Sequence, residues 1–464
     1  MPTPTALPTR ADVVIIGAGL AGLACALRLC APGLHVVVLE RADRAGGRVG
    51  TDLVDGFRCD RGFQLLNPDY PEARRVLDLT TLALQPLPAT VVVASDRGPV
   101  LLGDPRRTPP ALLPAVARAG LTRLGTLREK LAVARWALSC TRRDPADLLS
   151  APDEAWGAGL ARLGIDGELR RAVLEPFLAG VIGEDGGATS RRFVELLIRS
   201  FVRGRPSVPW QGMQAIPDQL ADALPGGVLQ LGVGVDAVGR PVGGYRPVRT
   251  PAGTIGARAV VVATDPGAAG AFTGLEMPAV RPLTTFWHAT DVPAPAFGAV
   301  PGALRLDGER RGPVVNTAAL SATARAYSPD RRTLVATTIL GLPSADPAEA
   351  TSEPGIRREL ARLYRLPTTR WETVTVHAIP HALTAMPPAL DVRRAVSLGD
   401  GLFVAGDHRD SASIQGALVS GRRAADAVLD SLGLPVPPRP ALDALRGTRR
   451  PNAALTTLNP WGEN

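Results

Sequence analysis

The sequence predicts an α/β fold in which a parallel-sheet domain, assembled from distant parts of the chain, is joined to a second domain of mixed helices and strands. Residues 13–51 combine an apolar strand, a glycine-rich turn, a helix, a second strand and a second glycine-rich turn. A similar strand, glycine turn and helix occur in residues 402–429. The helical spacing and strand-like runs between these two units indicate an inserted α+β domain.

Length and composition fit a two-domain globular protein. The chain has 464 residues, of which 45% are hydrophobic, and single cores stop growing well below this length. The net charge is +8, but the arginines are scattered and aromatic residues are few, so no nucleic-acid partner is indicated. The four cysteines lack metal-ligand spacing, and we expect no metal. Because no signal peptide or long apolar run is found, we expect a cytoplasmic protein, and the sequence does not indicate an oligomeric state.

Apolar runs, interrupted by glycine and proline, predict the elements in chain order. Strands over 13–16 and 35–39 flank a helix over 20–29, and helical spacing covers 111–140 and 168–203. Further strands are predicted over 229–238, 257–264, 284–288, 332–340 and 402–405, followed by a helix over 417–429.

These elements divide the chain into a discontinuous pair of domains. Residues 1–84, 206–280 and 385–433 are predicted to form the nucleotide-binding domain, and residues 85–205 and 281–384 the substrate domain. The proline-rich segment 434–464 is predicted to be a loosely attached C-terminal tail.

The first glycine-rich turn has the spacing of a Rossmann-like dinucleotide site. Gly17 permits the tight turn after the strand, Gly19 lets a pyrophosphate approach the backbone, and Gly22 lets the helix pack against the sheet. Leu20 and Ala21 begin that helix, whose N-terminal N–H groups and dipole attract phosphate. Glu40 ends the second strand, where a carboxylate can accept both ribose hydroxyls, and Arg41 follows it. A glycine turn without a ligand and a site for NAD both remain alternatives at this stage.

The second glycine turn favours FAD over NAD. Gly46 and Gly47 expose the backbone between Arg44 and Arg48, which are cations suited to phosphate. The segment from Glu40 to Arg48 resembles the E-x-x-x-R-x-G-G-R signature of the FAD-dependent amine oxidase superfamily, which includes monoamine oxidases, protoporphyrinogen oxidases and phytoene desaturases.

The resemblance extends to further segments and implies roles for their residues. Asp60–Phe63 is similar to the segment beneath the flavin, which implies contacts from Gly62 and Phe63. Thr264, which follows a predicted strand, is a further expected cofactor contact. The remaining implied cofactor contacts are Val235 at the adenine, Gly406 and Asp407 near the ribityl chain or pyrophosphate, and Ser413, Ile414 and Ala417 at the pyrimidine edge of the flavin. There a helix N-terminus would stabilise the anionic reduced flavin. No cysteine lies near the closing motif, so non-covalent FAD is expected.

Two departures from the family pattern bear on the chemistry. Many amine oxidases place a lysine near the flavin, but residues 281–287 contain none, and Lys130 is the only lysine in the chain. Ser413 stands where these enzymes usually have an aromatic residue. Both departures favour a desaturase-like reaction on a larger, apolar molecule over simple monoamine oxidation.

Few residues are candidates for contact with the substrate. Gln64 follows the segment beneath the flavin, His288 lies with Trp287 on a predicted strand, and His381 precedes the closing segment. A lone histidine is more often structural than catalytic. We therefore predict an FAD-dependent oxidoreductase that removes a hydride from a C–N or C–C bond of a small, largely apolar substrate. The alternatives are a polyene or carotenoid-like desaturase, with a peripheral membrane contact at residues 111–140, and a redox-neutral flavin-dependent isomerase.

Overall fold

A computed structural model describes residues 7–104, 107–120 and 124–437. It confirms the predicted α/β class and the Rossmann-like architecture. Most of the predicted tail, residues 438–464, lies outside the described residues.

The strands are numbered in chain order. They are β1 Arg10–Ile16, β2 Val36–Glu40, β3 Thr51–Val54, β4 Phe57–Asp60, β5 Gln85–Pro86, β6 Thr90–Ala94, β7 Val100–Gly103, β8 Ser207–Val208, β9 Leu229–Leu231, β10 Ala237–Val238, β11 Arg246–Thr250, β12 Gly253–Val262, β13 Val280–Thr290, β14 Leu304–Asp307, β15 Val314–Ala319, β16 Thr333–Leu340, β17 Glu372–Thr384 and β18 Leu402–Val404.

The α-helices follow the same convention. They are α1 Leu20–Cys30, α2 Pro71–Val76, α3 Leu113–Gly120, α4 Leu127–Arg142, α5 Pro145–Ser150, α6 Trp156–Arg162, α7 Glu175–Ile182, α8 Arg191–Arg203, α9 Ala215–Asp222, α10 Pro266–Thr273, α11 Glu353–Tyr364 and α12 Ile414–Ser431.

The first sheet has the order β10-β11-β12-β1-β2-β9, with β18 beside β12. Its central strands are parallel and buried on both faces, which explains the continuous apolar runs in β1 and at the end of β12. Helices α1, α9 and α12 cover one face, and α10 packs on the other. The carboxyl ends of β1 and β2 therefore lie side by side at one edge, where ligands bind in open α/β sheets.

The second sheet has the order β17-β13-β16-β15-β14-β6-β7 and is antiparallel apart from the β14–β6 pair. One face packs against α11 through Phe286, Val335 and Ile339. Residues of the opposite face line the cavity described below. Strands β6, β7, β14, β15 and β17 were not predicted from the sequence.

Two predicted helical stretches are interrupted. The stretch 168–203 breaks after α7, because Gly183 adopts a left-handed conformation with φ +70°, and α8 begins at the Ser190 cap. The stretch 111–140 is divided between α3 and α4, and the Thr126 side chain caps α4. Helix α4 exposes Leu127, Leu131 and Leu138 to solvent.

One predicted strand is also interrupted. Residues 229–238 form two short strands, β9 and β10, because Gly232 has φ +72° and the chain leaves the sheet there. The domain boundaries stay a prediction, although the first sheet draws its strands from residues 10–40, 229–262 and 402–404. Within the described residues, none of the helices has the length and apolarity needed to cross a membrane.

Candidate functional site

A cavity of about 580 Å³ lies where the carboxyl edge of the first sheet meets the second sheet. Most of the residues predicted to bind the cofactor contribute to its wall, although they come from widely separated stretches of the chain. The predicted residues that line it are Gly17, Gly19, Leu20, Ala21, Glu40, Arg41, Gly46, Gly47, Arg48, Gly62, Phe63, Gln64, Val235, Thr264, Gly406, Asp407, Ser413, Ile414 and Ala417.

The turn between β1 and α1 has a different steric requirement at each glycine. Gly17 has φ +102°, and a Cβ there would lie 2.8 Å from the Ala263 carbonyl oxygen. A Cβ on Gly22 would lie 2.0 Å from the Gly17 oxygen, so Gly22 serves helix packing and does not line the cavity. A Cβ on Gly19 would meet no atom within 4 Å. Gly19 therefore faces free space, which is the arrangement that a closely approaching pyrophosphate needs.

Glu40 is held by the backbone on both sides. Its two carboxylate oxygens accept hydrogen bonds from the Ala18 N–H at 2.8 Å and the Ala42 N–H at 2.9 Å. These bonds fix the carboxylate at the cavity wall and leave further lone pairs for ribose hydroxyls. The Glu40 carbonyl accepts from the Val233 N–H at 2.8 Å, which brings the segment containing Val235 to the same part of the wall.

The second glycine turn packs directly on the first. The Gly46 N–H donates to the Ala18 oxygen at 2.9 Å, and a Cβ on Gly47 would lie 3.6 Å from the Cα of Gly19. The two turns thus form a single cradle whose contacts are made by backbone atoms. Arg44 is turned away from this cradle and pairs with Asp52.

Arg48 and Asp407 join the two ends of the chain across the cavity wall. The Arg48 guanidinium donates to the Asp407 carboxylate at 3.0 Å, and the Thr384 hydroxyl donates to it at 3.2 Å. Burial would raise the pKa of the Asp407 carboxyl, but the charge of Arg48 and its hydrogen bond outweigh burial and lower this pKa. The carboxylate therefore stays ionised and keeps Arg48 in place.

Helix α12 begins at the cavity. The Ser413 hydroxyl caps it by accepting from the Gly416 N–H at 3.0 Å, and Ile414 and Ala417 line the wall. The helix packs closely on α1, since a Cβ on Gly421 would lie 2.1 Å from the Ala21 oxygen. This contact directs the positive end of the α12 dipole into the cavity.

The part of the wall formed by the second sheet and by α7 and α8 is mostly apolar. Phe177 and Phe201 form an edge-to-face pair with ring centroids 5.2 Å apart, and both line the cavity. Phe193 is buried in the core, and Trp210 is 42% exposed. The other apolar side chains here are Val181, Leu197, Leu283, Leu304, Ile379 and Leu383.

Of the three catalytic candidates, the structure brings only Gln64 to the cavity. Its Nε2 atom donates to the Arg48 and Arg61 carbonyl oxygens at 2.7 and 2.9 Å, which leaves Oε1 without a partner among the described residues. The Gln64 amide is thus fixed in orientation and can accept one further hydrogen bond.

The two histidine candidates lie elsewhere. His288 is on the face of β13 that packs against α11, and its Nε2 atom lies 3.1 Å from the Glu353 carboxylate. Successive strand residues point to opposite faces, so Thr285 reaches the cavity while His288 does not. His381 has a largely exposed side chain near Asp265. Trp287 is buried and donates to the Asp60 carbonyl oxygen at 3.2 Å.

Sequence reasoning missed several polar residues of the wall, among them Asn316 on β15 and Thr338 on β16. The available signal was an asparagine inside the apolar run 314–319, but that run had not been assigned as a strand. In the part of the chain that the structure describes, no cluster of three or more potential ligand side chains could hold a metal ion.

Comparison with known proteins identifies the family. The profile of "Flavin containing amine oxidoreductase" matches residues 20–429. Among curated relatives, putrescine oxidase of Kocuria rosea is 46% identical over 67 residues, 14% of each chain. Phytoene dehydrogenase of Streptomyces griseus is 52% identical over 61 residues, 13% of this chain and 12% of the relative. The chain thus aligns with only about an eighth of the length of these two relatives.

Solved structures share the fold over most of the chain. A putative protoporphyrinogen oxidase from an Exiguobacterium species superposes with a TM-score of 0.67 at 17% identity, covering 90% of this chain and 98% of that one. The family profile confirms the predicted flavin cofactor and the oxidoreductase class. The chain belongs to the flavin-containing amine oxidoreductase family.

Proposed function

We propose that this protein is an FAD-dependent oxidoreductase that removes a hydride from a C–N or C–C bond of a small, largely apolar substrate. One observation carries the proposal: a single cavity joins a backbone cradle suited to a dinucleotide with a chamber of apolar side chains. Apolar pockets that hold a few convergent polar groups are typical small-molecule sites.

The residues present fit FAD at each part of the cradle. Glu40 would accept the ribose hydroxyls, Gly19 and the start of α1 would receive the pyrophosphate, and Val235 would contact the adenine. The N-terminus of α12, at Ile414, would lie at the pyrimidine edge of the flavin. When bound, the flavin supplies the acceptor for the hydride.

The chain's own residues bind, orient and exclude water. The N–H groups and dipole of α12 offer positive potential to negative charge developing beside Ile414. Asp407 holds Arg48 at the wall and thereby fixes the second glycine turn. Phe177, Leu197 and Phe201 close the chamber with apolar surface, which strengthens electrostatic interactions inside it.

A second candidate is a polyene desaturase or a redox-neutral isomerase. The observation that favours it concerns residues 281–287, all of which the structure describes. From this segment, Leu283 and Thr285 line the cavity, and no ionisable side chain of the segment does so. Such a wall suits an apolar chain better than an amine that must lose a proton.

Anaerobic mixing of the purified yellow protein with two substrate panels tests both candidates. One panel contains primary amines with six to ten carbons, and the other contains short conjugated polyenes. Bleaching of the flavin absorbance by a panel member indicates net oxidation of that class, whereas turnover without bleaching indicates isomerisation. A purified protein without flavin absorbance, or the absence of both responses across the panels, would contradict the proposal.

A further inference from the structure

We propose that Asn316 and Thr338 form an anchor that holds a neutral hydrogen-bond donor of the substrate, a hydroxyl, inside the otherwise apolar chamber. This inference rests on the proposed function, because it takes the chamber to be the substrate site.

The anchor belongs to a row of three polar residues on neighbouring strands. Asn316 pairs with Thr338, and Thr338 pairs with Thr285, so the three side chains share one face of the sheet and line the cavity. Thr285 already accepts from the Phe63 N–H at 3.2 Å. Because strands lie about 4.8 Å apart, Asn316 lies roughly 10 Å from Thr285 across the sheet.

Both anchor residues have an oxygen that the protein leaves without a partner. Asn316 is 4% exposed and Thr338 is 2% exposed. Within the described residues, neither Asn316 Oδ1 nor Thr338 Oγ1 has a hydrogen-bond partner. Buried polar atoms are almost always paired, and leaving one unpaired is costly. Two such atoms on paired residues that line the cavity are therefore explained by a ligand hydroxyl that completes them.

The opposite face of the same sheet shows the contrast. There the Thr317 hydroxyl lies 2.9 Å from the Ala336 carbonyl oxygen and 3.0 Å from both the Thr337 and Tyr364 hydroxyls. On this face, where the sheet meets α11, the Thr317 and Thr337 hydroxyl groups therefore have hydrogen-bond partners. On strands β15 and β16, the described side-chain atoms that lack a partner, Asn316 Oδ1 and Thr338 Oγ1, belong to residues of the cavity face.

Helix α7 fixes the Asn316 side chain. A Cβ on Gly180 would lie 1.8 Å from Asn316 Nδ2, so only glycine lets the helix approach the amide so closely. Asn316 therefore has little room to swing away, and the anchor is preorganised.

The charges around the cavity indicate that the held group is neutral. The carboxylates that line the cavity are Glu40, Asp265 and Asp407, and each is engaged by backbone N–H groups or by Arg48. All three come from the segments that build the dinucleotide cradle. On strands β13 to β16, the described residues that line the cavity include no ionisable side chain. An ammonium or carboxylate group beside Asn316 and Thr338 would therefore be buried without a counterion.

Equilibrium dialysis of the holoprotein under anaerobic conditions tests the anchor with three probes of one carbon skeleton. The probes are cyclohexylmethanol, protonated cyclohexylmethylamine and cyclohexanecarboxylate. We expect the alcohol to bind at least tenfold more tightly than either ion. Thr338→Val should weaken alcohol binding about threefold to tenfold, the range of one neutral hydrogen bond, and leave the ions unaffected.

Three further variants keep the test decisive. Thr338→Ser retains the hydroxyl and should keep the alcohol preference, whereas Thr337→Val removes a hydroxyl from the other face of the sheet and should also keep it. Asn316→Leu provides a second removal if Thr338→Val does not fold. Equal or tighter binding of an ion, or full alcohol affinity in both removal variants, would overturn the anchor. Because dialysis measures binding alone, a failure of flavin reduction would sink the proposed function and leave this result readable.

Discussion

Gly19 should be required for FAD binding but not for folding, which separates it from the other two glycines of the same turn. Its backbone has φ −71° and ψ 175°, a conformation open to any residue, and a Cβ there would meet no protein atom within 4 Å. A Cβ on Gly22 would instead lie 2.0 Å from the Gly17 oxygen, and one on Gly17 would lie 2.8 Å from the Ala263 oxygen. The three alanine variants therefore test two different roles.

The magnitudes follow from these contacts. Gly19→Ala should leave the apoprotein as stable as the wild type or raise its free energy of unfolding by about 0.4–1 kcal/mol, because alanine restricts the unfolded chain. In the complex, the new methyl group would occupy the space needed by the pyrophosphate. A clash of this kind costs about 1–3 kcal/mol, or about 5-fold to 150-fold in Kd. Gly22→Ala should destabilise the apoprotein itself, because the atom that it strikes is backbone.

The assay has two readouts. Thermal unfolding of the apoproteins measures folding, and titration of each apoprotein with FAD, followed by quenching of flavin fluorescence, measures Kd. We expect Gly19→Ala to melt at or above the wild-type temperature and to bind FAD weakly. Wild-type FAD affinity in Gly19→Ala would refute the placement of the pyrophosphate, and a stable Gly22→Ala apoprotein would refute the packing argument.

Three further predictions concern other parts of the protein. Glu40→Ala should lower flavin occupancy after purification, and unchanged occupancy would sink the ribose assignment. Burial raises the pKa of Asp60 to about 6; because this exceeds the unfolded value of about 3.9, the protonated form is favoured in the folded state. Denaturant titrations should therefore show that, as the pH rises from 4 to 6, the free energy of unfolding of the wild type falls by up to about 3 kcal/mol relative to that of Asp60→Asn. If α4 contacts anionic membranes, as predicted for residues 111–140, the wild type should float with anionic liposomes and Leu131→Glu should not. A wild-type protein that stays in the dense bottom fraction of the gradient would exclude the contact.

Local sequence was sufficient for the cofactor cradle. The strand, turn and helix from β1 to α1 depend on neighbouring residues, and the glycines there are required by backbone geometry that the spacing already reveals. The boundaries of α1 and α12 differ from the predictions by at most a few residues at each end. The same holds for β2, which ends at Glu40.

The second domain was less predictable because several of its strands pair over long distances along the chain. Strand β14 pairs with β6, more than 200 residues earlier, and β17 contains Pro380, a residue that is uncommon inside strands. A strand's faces are known only once its register is known, and a slip of one residue exchanges them. For this reason His288 was a candidate for substrate contact, although Thr285 reaches the cavity instead.

The sequence by itself therefore determined the family, the flavin and the glycine cradle, because these follow from backbone conformations encoded within short segments. Only the tertiary structure decided that Asp407 orients Arg48, that Asn316 and Thr338 keep unpaired oxygens at one wall, and that two histidine candidates lie elsewhere. These outcomes depend on strand register and on packing between the two sheets. No local pattern encodes such relations, because the partners lie far apart in the chain.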